Sequence, residues 1–193
     1  MDLVIIKYNA GNIRSVDFAL RRLGVTALLS DDHQRIRSAD KVIFPGVGEA
    51  STTIQYLREK KLDGVIRELT QPVLGICLGL QLMCSFSEEG QTTCLGIFEE
   101  KINKFEPGRK VPHMGWNRIG RLSGPLFSEQ LIDEYMYFVH SYYAPVGPDT
   151  AAVADYGVEF SAALEKDNFF ATQFHPEKSG MAGEQILRNF LAL

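Results

Sequence analysis

The segment Val73-Leu74-Gly75-Ile76-Cys77-Leu78-Gly79 joins an apolar run, typical of a buried parallel strand, to the start of a helix. The glycines on either side of Cys77 give the pattern Gly-x-Cys-x-Gly, which is that of a nucleophile elbow with cysteine in place of serine. Such a turn has no room for side chains at the flanking positions, and it presents the nucleophile above the sheet. By itself the pattern is equally compatible with a buried core cysteine.

Strand-like and helix-like segments alternate on both sides of this turn. Apolar runs predict strands at residues 3–6, 25–29, 41–44 and 73–76. Apolar side chains at helical spacing predict a helix over residues 13–23, capped by Asn12, and one or two helices between residues 54 and 69. This alternation is typical of a parallel sheet with helices on both faces. We therefore expect an α/β fold with an open, mostly parallel sheet.

The second half of the chain is richer in short strands. Segments with strand character lie between residues 96 and 164, and residues 135–139 are the most β-prone of them. Residues 169–174 predict a final strand, and residues 183–193 predict a closing helix. Because no linker or repeat interrupts the sequence, we expect one domain over residues 1–193, with additional antiparallel strands in its second half.

Composition excludes several classes of protein. The 193 residues carry a formal net charge of −4, so there is no strong basic field to hold nucleic acid or an anionic membrane. No apolar run approaches the ~20 residues of a membrane-spanning helix, and the N-terminus does not have the pattern of a secretory leader. An odd count of three cysteines argues against a disulfide framework. We expect a globular cytoplasmic protein.

A second chemical signal is Gln173-Phe174-His175-Pro176-Glu177, at the end of the last predicted strand. Proline favours an extended residue before it, and a two-residue repeat then places His175 and Glu177 on the same side. This suits an imidazole base oriented by a carboxylate. A turn with a solvated histidine is the alternative. Since Cys77 and His175 both follow strands of a parallel sheet, we expect them to meet at its carboxyl edge, where ligands bind.

The loop Pro45-Gly46-Val47-Gly48 also follows a strand directly. Its glycines permit a close approach of the backbone, so it can supply a second N–H group to an oxyanion; a simple turn is the alternative.

The remaining cysteines and histidines carry no comparable signal. We assign Cys84 to the core, Cys94 to a polar turn where it can be exposed, and His33 to a solvated loop. His113 and His140 lack the spacing of a zinc site, so we expect no metal and no cofactor.

Together these stretches resemble the class I glutamine amidotransferase family. The resemblance covers nearly the whole chain and includes Tyr8 with Gly11-Asn12, the loop 45–48, the elbow through Gln81, His113-Met114-Gly115-Trp116-Asn117, residues 138–143 and residues 174–177. The departures are Lys7 and Asn9, where the family has an acid and a glycine. They affect the first loop, at a partner surface, and leave the catalytic pieces intact.

For the reaction, the resemblance implies that Cys77 is the nucleophile, that His175 is the general base and acid, and that Glu177 orients the imidazole. It implies oxyanion donors at the amides of Val47 and Leu78.

For the substrate, the resemblance implies that glutamine is held by Gly48 and Gln81 and by the backbone around Ser141 and Tyr142, which would bind its α-carboxylate and amine.

For subunit contacts, the resemblance implies that Tyr137 and Lys178 lie near an interface and an ammonia gate, and that Trp116 is an interface anchor. Asn12 belongs to the same interface group. The alternatives are an aromatic core strand for Tyr137, a solvated charge for Lys178 and a core indole for Trp116.

Ammonia released into water would be protonated, so such a glutaminase needs an acceptor enzyme beside it. The chain has no room for a synthase domain, since a (β/α)₈ barrel takes about 250 residues. The Pro-Gly-Val-Gly loop and the His-x-Gly-Trp-Asn stretch resemble the branch of the family that serves histidine biosynthesis. That resemblance implies a heterodimer with a cyclase subunit built as a (β/α)₈ barrel.

Two other functions stay open from the sequence. One is a class I glutaminase for pyridoxal phosphate synthesis, whose Pro-Gly-Gly-Glu-Ser loop this chain lacks. The other is a non-catalytic α/β interaction module with a structural cysteine.

Overall fold

The computed structural model describes residues 1–8 and 13–193. The helices of these residues are α1 Ile13–Arg22, α2 His33–Ser38, α3 Ala50–Glu59, α4 Leu62–Arg67, α5 Leu78–Met83 and α6 Gly180–Ala192. The strands are β1 Leu3–Ile6, β2 Leu28–Ser30, β3 Lys41–Gly46, β4 Val73–Cys77, β5 Phe86–Ser87, β6 Thr92–Thr93, β7 Lys101–Lys104, β8 His113–Arg118, β9 Tyr135–His140, β10 Tyr142–Tyr143, β11 Thr150–Asp155, β12 Glu159–Lys166 and β13 Phe169–Thr172.

The largest sheet has seven strands in the order β11-β12-β13-β4-β3-β1-β2. The five strands from β13 to β2 are parallel, whereas β12 and β11 are antiparallel to their neighbours. In the register, Gly46 of β3 lies opposite Cys77 of β4, and Thr172 of β13 lies opposite Ile76. The carboxyl ends of these three strands therefore share one edge. The expected fold, a mostly parallel sheet with added antiparallel strands, is confirmed.

Helices cover both faces because successive residues of the central strands point to opposite sides. Val42 and Phe44 pack in one apolar cluster with residues of α2 to α5, while Ile43 packs in another with residues of α1 and α6. Both faces are thus apolar, which explains the uninterrupted hydrophobic runs of β1, β3 and β4. No helix in the described part of the chain is both apolar enough and long enough to cross a bilayer.

Two smaller sheets stand beside the main one. Strands β10, β7, β5 and β6 form one of them, and β8 pairs with β9 in an antiparallel ribbon in which Trp116 lies opposite Tyr137. Phe138 and Phe160 belong to a third apolar cluster, which joins this ribbon to β11 and β12. The ribbon therefore has a buried face toward the body of the protein and a second face that carries Trp116.

Several sequence predictions about local structure are corrected. The second strand comprises Leu28–Ser30 rather than residues 25–29, and the last helix starts three residues earlier than expected, at Gly180. His33 opens helix α2, whose N-cap Asp32 accepts a hydrogen bond from the Arg35 amide, so the solvated loop predicted there is wrong. The predicted cap Asn12 of α1 lies outside the described residues.

Candidate active site

The elbow at Cys77 has the backbone that the two glycines were expected to permit. Cys77 has φ +54° and ψ −105°, a conformation that non-glycine residues rarely adopt. A Cβ atom on Gly79 would collide with the Phe44 carbonyl oxygen, and one on Gly75 would lie 3.1 Å from the carbonyl carbon of Gly79. The close contact between β3, β4 and α5 therefore requires glycine at both positions, and it leaves the thiol at the sheet edge.

The loop after β3 lies next to the elbow. A Cβ atom on Gly46 would come within 2.9 Å of the Leu78 Cβ, and Gly48 has φ +135°, which favours glycine. The buried Tyr8 hydroxyl donates a hydrogen bond to the Pro45 carbonyl, which connects the end of β1 to this loop. The loop is thus held against the start of α5.

His175 and Glu177 form a buried pair at the end of β13. The Nδ1 atom of His175 lies 2.8 Å from Oε1 of Glu177, and the two residues are only 1% and 8% exposed. His175 is extended, as expected before proline, and its amide donates to the Tyr137 carbonyl. Glu177 does not continue that extended segment, because Pro176–Lys178 form a 3₁₀ turn. The predicted contact is present, but the turn produces it rather than a two-residue strand repeat.

Cys77 and His175 interact at the shared strand edge. Burial alone would lower the pKa of His175, but hydrogen bonding and charge interaction with Cys77 and Glu177 outweigh it and raise this pKa from 6.5 to about 10. The thiol is directed at the Val139 carbonyl oxygen, at an S···O distance of 3.8 Å, and His175 Nε2 has no hydrogen bond of full geometry. The two groups are neighbours, and their hydrogen bond is not fully aligned in this conformation.

An open cavity of about 280 Å³ lies at this edge. It is lined by Val47, Gly48, Cys77, Leu78, Gln81, Glu89, Pro112, Val139, His140, Ser141 and Tyr142. All six residues that the sequence predicts for oxyanion and substrate contacts therefore share one cavity with the predicted nucleophile Cys77. His175 and Glu177 do not line it; they are buried next to Cys77.

Sequence reasoning missed Glu89 as part of this cavity. Glu89 follows β5 in a short 3₁₀ turn, and its Oε2 accepts a hydrogen bond of 2.8 Å from the Ala50 amide. Burial, together with the charge of Glu49, raises the pKa of Glu89 above its ordinary 4.5, although the Ala50 amide opposes the shift. Nothing local in the sequence marks Glu89, because its contact is made 39 residues away.

The three described residues of the interface group lie together. The Trp116 and Tyr137 rings have centroids 5.9 Å apart, and the Lys178 Nζ atom is 6.0 Å from the centre of the Tyr137 ring. Trp116 is 55% exposed, so it is not a core indole; Tyr137 is half-buried and Lys178 is exposed. The fourth residue, Asn12, lies outside the described residues.

Two further cysteines and two further histidines are buried away from the solvent. Cys84 is buried, as expected, but Cys94 is buried as well, so its assignment to an exposed turn is wrong. His113 and His140, 27 residues apart, face each other with Nδ1 and Nε2 3.0 Å apart in the core. Among residues 1–8 and 13–193 no cluster of side chains is suited to hold a metal ion.

Comparison with known proteins identifies the family of the chain. Residues 4–193 match the family model described as Glutamine amidotransferase class-I. The chain belongs to the class-I glutamine amidotransferase family and is an enzyme of that class, so the interpretation as a non-catalytic module is wrong. A solved structure described as a glutamine amidotransferase superposes with a TM-score of 0.77 at 22% identity, over 98% of this chain and 97% of that one, which supports the fold.

Particular relatives narrow the assignment within the family. The chain is 62% identical, over 100% of both sequences, to imidazole glycerol phosphate synthase subunit HisH of Bacteroides fragilis (strain YCH46). It is 46% identical, again over 100% of both, to the protein of the same name from Yersinia pseudotuberculosis serotype I (strain IP32953). The resemblance to the histidine-biosynthesis branch is thereby confirmed.

Proposed function

We propose that this chain is the glutaminase subunit of an imidazole glycerol phosphate synthase, with residues 1–193 acting as one catalytic domain. It hydrolyses glutamine to glutamate, and a cyclase subunit uses the ammonia to form imidazole glycerol phosphate and aminoimidazole carboxamide ribotide in histidine biosynthesis. The observation that carries the proposal is the buried His175–Glu177 pair beside Cys77 at the wall of an open cavity. The full-length relatives named HisH support the pathway.

In the first half of the proposed reaction, the Cys77 sulfur attacks the side-chain amide carbon of glutamine, and the carbonyl electron pair moves to oxygen. His175 then gives its Nε2 proton to the amide nitrogen, the C–N bond breaks, and ammonia leaves with the bonding pair. A pKa of about 10 keeps His175 protonated at neutral pH, so the proton is available. The product of this half is a thioester on Cys77.

The second half requires His175 to act as a base. Acylation removes the negative charge on sulfur, and with it the Cys77 interactions that help to raise the pKa of His175. The pKa of His175 therefore falls, and Nε2 can accept a proton from an attacking water molecule. The C–S bond then breaks, glutamate leaves, and the proton returns to the Cys77–His175 pair. Glu177 holds Nδ1 in both halves.

The amides of Val47 and Leu78 are the proposed oxyanion donors. Leu78 is the first residue of α5, so its N–H has no partner within the helix. Val47 lines the same cavity on the neighbouring loop. Loss of one such donor typically costs ~10²–10³ in rate. A change in the glycine loop at Gly48 would therefore switch the reaction on or off.

The cavity also offers groups for the amino-acid end of glutamine. We assign the α-ammonium to the Glu89 carboxylate and the α-carboxylate to backbone groups around Ser141 and Tyr142. Both amide hydrogens of Gln81 already have acceptors, the Tyr142 carbonyl at 3.1 Å and Gln173 Oε1 at 3.0 Å. Gln81 therefore contacts a ligand through its own Oε1.

The cyclase partner, a (β/α)₈ barrel in a heterodimer, is proposed to contact the exposed face of the β8–β9 ribbon. Trp116 and Met114, both more than half exposed, lie two residues apart on β8 and so share that face. Tyr137 and Lys178 border it and connect it to the turn that carries Glu177. Asn12, the fourth residue that the resemblance assigns to an interface, lies outside the described residues. We assign the complex to the cytoplasm.

The test combines labelling with partner binding. The glutamine-mimicking electrophile 6-diazo-5-oxo-L-norleucine should label the Cys77 peptide in the complex with a cyclase subunit, and a Cys77→Ser variant should stay unlabelled. The isolated chain should be nearly inactive on glutamine until the liganded cyclase binds. Absence of labelling with and without the partner contradicts the proposed function, whereas strong basal activity contradicts only the gating.

A further inference from the structure

Besides the neighbouring His175, the Gln173 side chain donates toward the Cys77 sulfur. The Nε2 atom of Gln173 lies 3.7 Å from Sγ of Cys77, within the range of a hydrogen bond to sulfur. Gln173 is fully buried between the end of β13 and His175. A buried amide needs a reason for its position, because its polar atoms cannot exchange with water.

The orientation of the Gln173 amide is determined by a backbone group. A carbonyl oxygen can only accept, so the Gln81 side chain must present its nitrogen to the Tyr142 carbonyl. The second hydrogen on that nitrogen points to Gln173, whose Oε1 must therefore face Gln81. Only the NH₂ group of Gln173 is then left to face the sulfur. The donor role of Gln173 follows from this chain of contacts.

The Tyr142 carbonyl at the start of this chain is itself held from a second side. His140 Nδ1 lies 2.7 Å from it, and His140 Nε2 faces His113 Nδ1. Burial lowers the pKa of His113 to about 4 and, ahead of smaller effects, that of His140 to about 3, so both are neutral at pH 7. The Asn117 amide can then donate to His113, His113 to His140, and His140 to the carbonyl. All hydrogen bonds run in one direction.

Besides His175, the sulfur has a near neighbour that disfavours negative charge on it, and a donor such as Gln173 opposes that neighbour. The Val139 carbonyl oxygen, 3.8 Å away, can accept the thiol proton but repels a thiolate. An N–H group has the opposite effect, because it donates to the negative charge. Hydrogen bonds from an N–H group to a charged acceptor are among the stronger ones in proteins. Gln173 thus offsets the Val139 carbonyl without carrying charge itself.

We propose that Gln173 is a further catalytic group on the nucleophile: its N–H, aligned by Gln81 and the Tyr142 carbonyl, holds the Cys77 sulfur for attack and stabilises negative charge on it. The inference rests on the proposed function, since it takes Cys77 as the nucleophile. It separates two tasks, because His175 transfers protons whereas Gln173 transfers none.

Two substitutions test this role in the complex with the cyclase. Gln173→Met keeps the volume but removes the donor, and Gln173→Glu keeps the acceptor for Gln81 but turns a carboxylate toward sulfur. Gln71→Met is the matched control, because Gln71 donates to the Ile36 carbonyl in a part-buried site away from the cavity. The readouts are kcat and KM for glutamine and the pH profile of iodoacetamide alkylation at Cys77, followed by peptide mass.

For Gln173→Met we expect the pH of half-maximal alkylation to rise by about one unit and kcat to fall ~10-fold, with KM changed less than about threefold. Gln173→Glu should lose roughly 100-fold in kcat because it adds repulsion. Gln71→Met should match the wild type in both readouts.

Three outcomes would overturn the proposal. They are a folded Gln173→Met enzyme with the wild-type pH profile and kcat, a rise in KM alone, and failure of both Gln173 variants to fold, which would assign Gln173 to the fold. If only Gln173→Met fails to fold, the kcat of Gln173→Glu decides: the loss predicted above supports the proposal, and a wild-type kcat overturns it. A wild-type chain that 6-diazo-5-oxo-L-norleucine does not label rejects the proposed function instead.

Discussion

The carboxyl edge of the main sheet and the β8–β9 ribbon both border the cavity, but they are built differently. At the sheet edge, Cys77, His175 and Glu177 are all buried, and backbone constraints such as the forced glycine at Gly79 determine their positions. On the ribbon, Trp116 of β8 is 55% exposed, whereas Met136 and Phe138 of the paired strand β9 are buried in an apolar cluster. The positions at the edge are thus determined by contacts within the chain, whereas an exposed apolar face such as that of the ribbon is typical of a surface that binds a partner.

The two regions meet at backbone atoms. The Val139 carbonyl contacts the Cys77 sulfur, and the Tyr137 carbonyl accepts from the His175 amide. Both carbonyls belong to β9, so a small movement of the ribbon changes what the nucleophile and its base contact. Substitutions at the edge should therefore abolish chemistry, and substitutions on the outer face of the ribbon should weaken association and its effect on chemistry.

The largest effect is expected from His175→Ala. Removing the proton carrier should lower glutamine-dependent kcat by at least ~10³-fold while binding to the cyclase stays within about threefold of wild type. Steady-state kinetics and a binding titration measure the two quantities. If affinity fell as far as activity, the proposed division between edge and ribbon would be wrong.

Glu177→Gln should cost less than His175→Ala. The amide can still contact Nδ1, but it no longer stabilises the protonated ring, so we expect a loss smaller by roughly one to two orders of magnitude. The pKa of His175 should also fall, since the Glu177 charge helps to raise it to about 10. NMR titration of the imidazole checks this shift. Equal losses from the two substitutions would contradict the orienting role.

Trp116→Ala tests the ribbon itself. Truncation of a central aromatic residue should weaken cyclase binding by about 30-fold, corresponding to about 2 kcal/mol. Leu28→Ala is the control, because Leu28 is also about half exposed but lies on a different sheet, on β2 at one edge of the main sheet. Isothermal titration calorimetry distinguishes the two variants. Equal affinities for both would remove Trp116 from the proposed interface.

The smallest effect concerns pH and the histidines beneath the ribbon. His113 and His140 have folded pKa values of about 4 and about 3, below the ordinary 6.5, so their stabilisation is present above pH 6.5 and is lost as pH falls toward those values. His175, whose pKa is raised, acts oppositely and loses its contribution as pH rises through about 10.

Glu100 is buried and Glu89 and Glu165 are half-buried, and desolvation raises the pKa of all three carboxyl groups. They favour the folded state as pH falls, so a difference measurement is needed. Between pH 7.5 and 5, wild type should lose roughly 2–4 °C more in melting temperature than His140→Gln. Calorimetric scans at both pH values give the difference. Identical pH slopes for the two proteins would show that His140 does not titrate in this way.

Much of the sheet edge could be predicted from sequence because its determinants are local. The apolar runs before Gly46 and Cys77 define β3 and β4. Gly79 marks the close contact of α5 with Phe44, and Gly75 marks the close contact of β4 with the start of α5. His175 and Glu177 are two residues apart, so any compact turn brings them together.

Long-range contacts could not be predicted in the same way. Glu89 is positioned at the cavity by a hydrogen bond from the Ala50 amide. The Gln173 amide is oriented by its hydrogen bond with Gln81, 92 residues away. Cys94 has polar neighbours in sequence but is buried by tertiary packing. Helix α2 was missed because it has six residues and buries only Ile36, which leaves almost no apolar periodicity.

The most direct test of the account is the Cys77→Ala enzyme assayed in complex with the cyclase, with glutamine and then with ammonium salt as nitrogen source. We predict loss of glutamine-dependent synthesis and retention of wild-type ammonia-dependent synthesis, because only the edge chemistry is removed. Loss of both activities would show that Cys77 supports the fold or the interface, and retained glutamine-dependent synthesis would show that Cys77 is not the nucleophile.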